Sequence, residues 1–107
     1  MISHNDIVAM IQDMDMPWAY HHFAEGESPE APFLVFLYPA SDNFSADGRV
    51  YVKFNELNIE LYTKKKDPEA ELQVEDVLDD NGLFYQKSET FIESENLYEV
   101  IYEMRLV

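Results

Sequence analysis

The sequence predicts an α+β fold: an antiparallel or mixed β-sheet with two α-helices packed on one face, in the order α-β-β-α-β-β. Two patterns carry this expectation. Apolar residues recur with helical spacing in two short segments and with a period of two in the segments between and after them. The strand-like segments come in neighbouring runs, which favours antiparallel pairing and leaves the helices together on one side. At 107 residues the chain has the usual length of one domain, so it is read as a single unit.

The first helix is predicted from Ile7, Met10, Ile11 and Met14, whose i, i+3, i+4, i+7 spacing lines one helical face. Ser3 and Asp6 form a capping pair, able to accept from amides that the first turn leaves free. Pro17 ends the possibility of continuing. The aromatic stretch from Trp18 to Phe23 is expected as a short edge strand. Phe33 to Tyr38, apolar on both faces between Pro32 and Pro39, reads as a buried central strand.

Ala40 to Gly48 is rich in Ser, Asp, Asn and Gly and reads as a loop carrying an isolated Phe44. Alternation then returns. Val50, Val52 and Phe54 share one parity, and Leu57, Ile59 and Leu61 the other, so the phase slips by one residue near Asn55 and Glu56. One long strand, bent or bulged at the slip, is favoured over a hairpin because neither residue is Gly.

Asp67 as N-cap and Pro68 at the first helical position open the second helix, and Glu69 and Glu71 suit the positive end of its dipole. Ala70, Val74, Val77 and Leu78 form its inward face, and Asn81-Gly82 stops it. Two strands follow, about Leu83 to Ile92 and Tyr98 to Leu106, joined as a hairpin by the polar Glu93 to Asn96 segment.

Composition narrows the function classes. Residues of the hydrophobic set make up 47% of the chain, with seven Phe, seven Tyr and one Trp, enough for a core and unlike a disordered segment. The longest apolar stretch, Phe33 to Tyr38, is far too short to cross a bilayer, and no charged segment followed by an apolar run marks a secretory signal. With no cysteine there are no disulfides, thiolate metal sites or cysteine nucleophiles. These features point to the cytoplasm, or to assembly there. Twenty-two acidic against seven basic residues give a formal net charge of −15, which repels nucleic-acid phosphates. The excess serves solubility, a patch for a basic partner, or a surface past which DNA moves without sticking.

No residue set announces catalysis, a cofactor or a metal. His21 and His22 are neighbours that a strand would point to opposite faces, a poor metal site even with Glu25 and Glu27 nearby. Asp42, Asn43, Ser45, Asp47 and Gly48 have a calcium-loop flavour, but Phe44 and Ala46 fall where ligands should be. Glu75, Asp76, Asp79 and Asp80 lie outside the apolar stripe of the second helix and read as a solvated face. There is no nucleophile elbow or phosphate loop, and only three glycines to build one.

Binding has more support. Leu72 sits on the acidic side of the second helix, and Lys64, Lys65 and Lys66 form the only positive cluster, just before that helix. A lone exposed Leu and a charged loop are the plain readings. The functional reading is a head-to-tail contact in which the lysines of one subunit meet Asp76, Asp79 and Asp80 of the next, with Leu72 and a solvent-exposed Phe44 as docking residues.

The element order, with the segments PFLVFLYP, DNFSADGRVYVKFNELNIELYTKKKDPE and SENLYEVIYEMRL, resembles the tail terminator (tail-completion) proteins of long-tailed bacteriophages and prophages. The likeness covers most of the chain, and the middle segment is its most telling part. It implies a non-enzymatic structural protein of the virion tail, assembled in the bacterial host cytoplasm, without cofactor or membrane. Its implied partners are copies of itself in a ring, typically a hexamer, the tail tube protein and the head–tail connector, with DNA passing through without specific binding. No individual residue is carried over, and a connector or another minor tail protein would read similarly. The competing class is an acidic phage-encoded DNA mimic that inhibits a host nucleic-acid-binding protein. Against it, the carboxylates are scattered along the chain rather than gathered on one element.

Overall fold

The first helix, α1, spans His4–Asp13 and begins at the expected capping box. The Ser3 hydroxyl accepts from the Asp6 amide at 3.1 Å, and the Asp6 carboxylate accepts from the Ser3 amide at 2.9 Å. A computed structural model of the chain describes residues 2–24, 26–39, 44–46, 49–51 and 56–106. The second helix, α2, spans Pro68–Asp80, with the Asp67 carboxylate accepting from the Ala70 amide at 3.1 Å. Its end is a Schellman turn. The Leu83 amide bonds the Leu78 carbonyl and the Gly82 amide bonds the Asp79 carbonyl, while Gly82 takes a φ of 68° that side chains resist.

Five strands form a mixed sheet: β1 (Trp18–Tyr20), β2 (Phe33–Leu37), β5 (Glu56–Thr63), β6 (Gln86–Ile92) and β7 (Leu97–Arg105), in the order β1-β2-β5-β7-β6. Only β1 and β2 run parallel. β3 (Phe44–Ala46) and β4 (Arg49–Tyr51) pair antiparallel in a separate two-stranded sheet.

The register sorts the side chains onto two faces. Leu34 pairs with Leu61 and Leu61 with Val100, while Phe36 pairs with Ile59 and Ile59 with Tyr102. These residues, with Leu57 and Met104, form one cluster with Ile7, Met10, Ile11 and Met14 of α1 and Ala70, Val74 and Leu78 of α2. Each fully buried large apolar side chain here contributes roughly 1.5–3 kcal/mol. Phe33 and Val35, on the other face of β2, are also buried, as the continuous apolar run required. No helix among the described residues is long and apolar enough to cross a membrane.

Four expectations change. Among the described residues, five strands rather than two lie between the helices, so the order α-β-β-α-β-β does not hold. The 40–48 segment is not all loop, because Phe44–Ala46 is a strand; its remaining residues, 40–43 and 47–48, lie outside the described residues. The expected single long strand is two, β4 and β5, which belong to different sheets. The change of apolar parity is the physical reason, since one straight strand cannot present both sets to one core. Residues 52–55, where the slip falls, lie outside the described residues. The strand expected from Leu83 starts at Gln86 instead, because Leu83 completes the helix cap and packs on the core.

Candidate functional site

Among the described residues a polar cluster links α2 to β6. Residues 71, 74, 75 and 78 share one side of α2 by their i, i+3, i+4, i+7 spacing. Val74 and Leu78 enter the core, while Glu71 and Glu75 reach the margin of the sheet. On β6, Lys87 stands opposite Tyr102 and Glu89 opposite Val100, so both point to the helix side. The Lys87 ammonium lies 2.6 Å from Glu71 and 2.8 Å from Glu75. Lys66 pairs with Glu71 at 3.4 Å and also with Glu89. The Tyr102 hydroxyl donates to Glu75 at 2.8 Å.

Burial would lower the Lys87 pKa, but the Glu71 and Glu75 carboxylates outweigh it and hold it up to about 12. Glu75 is likewise favoured as a carboxyl by burial, yet the bonds from Lys87 and Tyr102 bring it below its ordinary value. The Tyr102 phenol is pushed up by burial and by Glu75. Each shift moves its group away from neutrality, the reverse of what a general acid or base needs. The cluster ties a helix to an edge strand.

The opposite sheet face is acidic. Glu60 and Glu99 both accept from the Tyr62 hydroxyl, at 3.0 and 2.7 Å. One hydroxyl has one proton, so it cannot serve both carboxylates fully at once. Burial raises the Glu60 pKa; the Tyr62 bond pulls it down, nearby Glu99 adds to the rise, and His21 opposes it. Phe33 stacks on Tyr62 with ring centres 5.0 Å apart, and Phe23 meets Phe33 edge-on at 5.4 Å. Towards one end of the sheet a cavity of about 580 Å³ is lined by Asn58, Phe84, Gln86, Glu103 and Arg105 among others.

The two adjacent histidines do not diverge as strand alternation predicted. The strand ends at Tyr20, and His21 adopts a φ of 71°. This bend brings the two rings to 5.2 Å between centres, with their Nδ1 atoms 3.0 Å apart. Among the described residues no group of three or more His, Asp or Glu is arranged to hold a metal. Of the calcium-like loop, Asp42, Asn43, Asp47 and Gly48 lie outside the described residues.

The expected contact residues are spread over two regions. Lys64 and Lys65 are exposed in the bend before α2. Lys66 is engaged by Glu71 and Glu89 of its own chain, so it is not a free cation for a neighbour. Leu72 is 54% exposed, and Asp76, Asp79 and Asp80 are exposed along the rest of α2. The backbone of Phe44 lies in β3 opposite Tyr51; its side chain lies outside what is described. Sequence reasoning missed two residues. Glu71 is buried, which its place beside Ala70 and one turn before Val74 and Glu75 signalled. Phe84 is 93% exposed just after the helix stop, where no periodicity marks it.

No family model, no curated protein and no solved structure matches this chain. Asp79 and Asp80 close the last turn of α2, which contains no basic residue. A helix C-terminus carries partial negative charge, so these carboxylates oppose their own helix dipole. Lys64 and Lys65 precede the positive end of the same helix, roughly 20 Å away for 13 residues.

Proposed function

We propose that this chain is an assembly protein of the phage tail-terminator kind, whose subunits join head-to-tail through the two ends of α2. The observation that carries the reading is the arrangement of charge along that helix. Asp79 and Asp80 crowd its negative end with no basic residue in the last turn, so that end is electrostatically unsatisfied within the subunit, while the exposed Lys64 and Lys65 stand just before its other end. Setting the end of one helix against the start of the next, with Leu72 in the contact, would give the Asp79 and Asp80 carboxylates the cationic partners they lack. Such a heterologous contact closes into a ring when its rotation allows. In that setting the acidic surface keeps DNA from sticking as it passes. The resemblance of the three segments names the assembly: a ring, possibly a hexamer, between the tail tube and the head–tail connector of a virion.

Charge reversal tests it. Asp79→Lys with Asp80→Lys, and separately Lys64→Glu with Lys65→Glu, should each abolish higher-order assembly in the presence of tail tube protein, as read by electron microscopy. Mixing the two variants should restore both contacts, because each end of one variant then meets an end of opposite charge on the other, and assembly should return with the two chains alternating. A parent chain that stays monomeric with both tail tube and connector proteins overturns the reading.

The DNA-mimic reading gains less. Carboxylates occur on the sheet face through Glu60, Glu99 and Glu103 and on α2 through Asp76, Asp79 and Asp80. They therefore do not trace one strip such as a duplex presents.

A further inference from the structure

We propose that the outer edge of β6 is a second self-association surface, pairing antiparallel with β6 of another copy about a two-fold axis at Ser88. The contact is separate from the helix-end contact and does not depend on the tail-terminator reading. β6 is the last strand of the sheet, paired only with β7 among the described residues, and Gln86 to Phe91 are all exposed. An edge of seven residues presents unpaired amides and carbonyls, which is what an added strand binds.

Edge strands are often protected by charge, and β6 carries Lys87 and Glu89. Here both are drawn toward the helix side, Lys87 to Glu71 and Glu75 and Glu89 to Lys66, which leaves the backbone edge bare. Their order also makes the strand self-complementary. With Ser88 opposite its own copy, Lys87 faces Glu89 of the second chain, and Glu89 faces its Lys87. An axis at Lys87 or at Glu89 would instead set like charges opposite each other. One step further out, Gln86 faces Thr90, and beyond them Tyr85 faces Phe91 and Phe84 faces Ile92. Phe84, 93% exposed, thereby gains an apolar partner, and Phe91, 43% exposed beside Tyr98 of its own chain, gains a second aromatic neighbour.

One strand pair buries far less than a standard interface, so the association is weak. Two chains of charge −15 also repel each other, and salt screens that repulsion. Dimerisation should therefore strengthen with added salt.

The chain has no cysteine, so a single introduced thiol reports one distance. Ser88→Cys sits on the axis, whereas Thr90→Cys is held roughly 14 Å from its copy by the strand rise. Both sites are exposed, and circular dichroism checks that each variant folds. At about 0.5 M salt, where the Debye length is about 4 Å, diamide should convert Ser88→Cys to covalent dimer. It should do so at least about tenfold faster than Thr90→Cys, since a disulfide requires the Cα atoms within about 7 Å. Sedimentation of the parent chain should show dimer increasing with protein concentration and with salt. Equal rates at the two positions, a faster Thr90→Cys reaction, or no covalent dimer from either overturns the proposal. So does a parent chain that remains monomeric at millimolar concentration in high salt.

Discussion

The Glu71 carboxylate of α2 lies 2.6 Å from the Lys87 ammonium of β6, and Glu71 is only 6% exposed. The second ammonium, of Lys66, approaches from 3.4 Å. A carboxylate taken this far from water is tolerable only because two cations face it. Glu71 thus ties α2 to the exposed edge strand of the sheet, beside the core contacts of Ala70, Val74 and Leu78.

Glu71→Ala should lower stability by about 2 kcal/mol, less than the figure for a fully buried pair because both lysines keep some solvent. Glu69→Ala, two residues earlier in the same helix and exposed, should stay within about 0.5 kcal/mol of the parent. Denaturation by urea at pH 7 compares them. Equal losses would show that Glu71 contributes no more than an ordinary surface residue.

The same cluster sets the behaviour in alkali. The folded Tyr102 phenol and Lys87 ammonium both hold their protons more tightly than in the unfolded chain, where their ordinary values are 10.0 and 10.5. The stability they contribute is therefore complete below pH 10. It falls as pH rises beyond, and the Lys87 share is exhausted only above about 12. The melting temperature should drop steeply above pH 10. Tyr102→Phe should be about 1 kcal/mol less stable at pH 7 for the lost bond to Glu75. It should also show a shallower alkaline fall.

Much of this arrangement was legible in the sequence because it depends on local rules. The capping residues Ser3 and Asp67, the stop at Gly82, and the alternation of Val100, Tyr102 and Met104 each follow from chemistry within a few residues. The buried strand at Phe33 followed from its unbroken apolar run. What escaped depends on long-range register. Nothing near Glu71 in the chain says that Lys87 will stand opposite Tyr102 and so arrive beneath it. Nothing near Val50 says that it will join a sheet different from that of Leu57, although the parity slip showed that something must change. The meeting of His21 and His22 required a positive φ that no local signal announced.

Gly82 offers a purely local test. At φ 68° an added Cβ meets nothing within 4 Å, so Gly82→Ala carries backbone strain without a clash. The expected cost is about 1 kcal/mol, seen as a lower melting temperature with no change in secondary structure content. A neutral result would mean that the turn relaxes to another cap.

Glu60 tests the acidic sheet face, and there the sign is opposite to that of Glu75. Burial raises its folded pKa above the ordinary 4.5. The folded chain therefore binds this proton more tightly than the unfolded one, and keeping the site ionised costs stability at neutral pH. That cost is absent below pH 4.5, where both states hold the proton, and grows as pH rises through the folded pKa. Glu60→Gln has the same shape and can still accept from Tyr62 through its carbonyl oxygen. It should be more stable than the parent at pH 7, and the difference should shrink to nothing as pH falls below 4.5. Urea midpoints for the pair, taken from pH 4 to pH 8, give the comparison directly. A variant less stable than the parent at pH 7 would show that the attraction of His21 and the shared Tyr62 proton outweigh desolvation at this position.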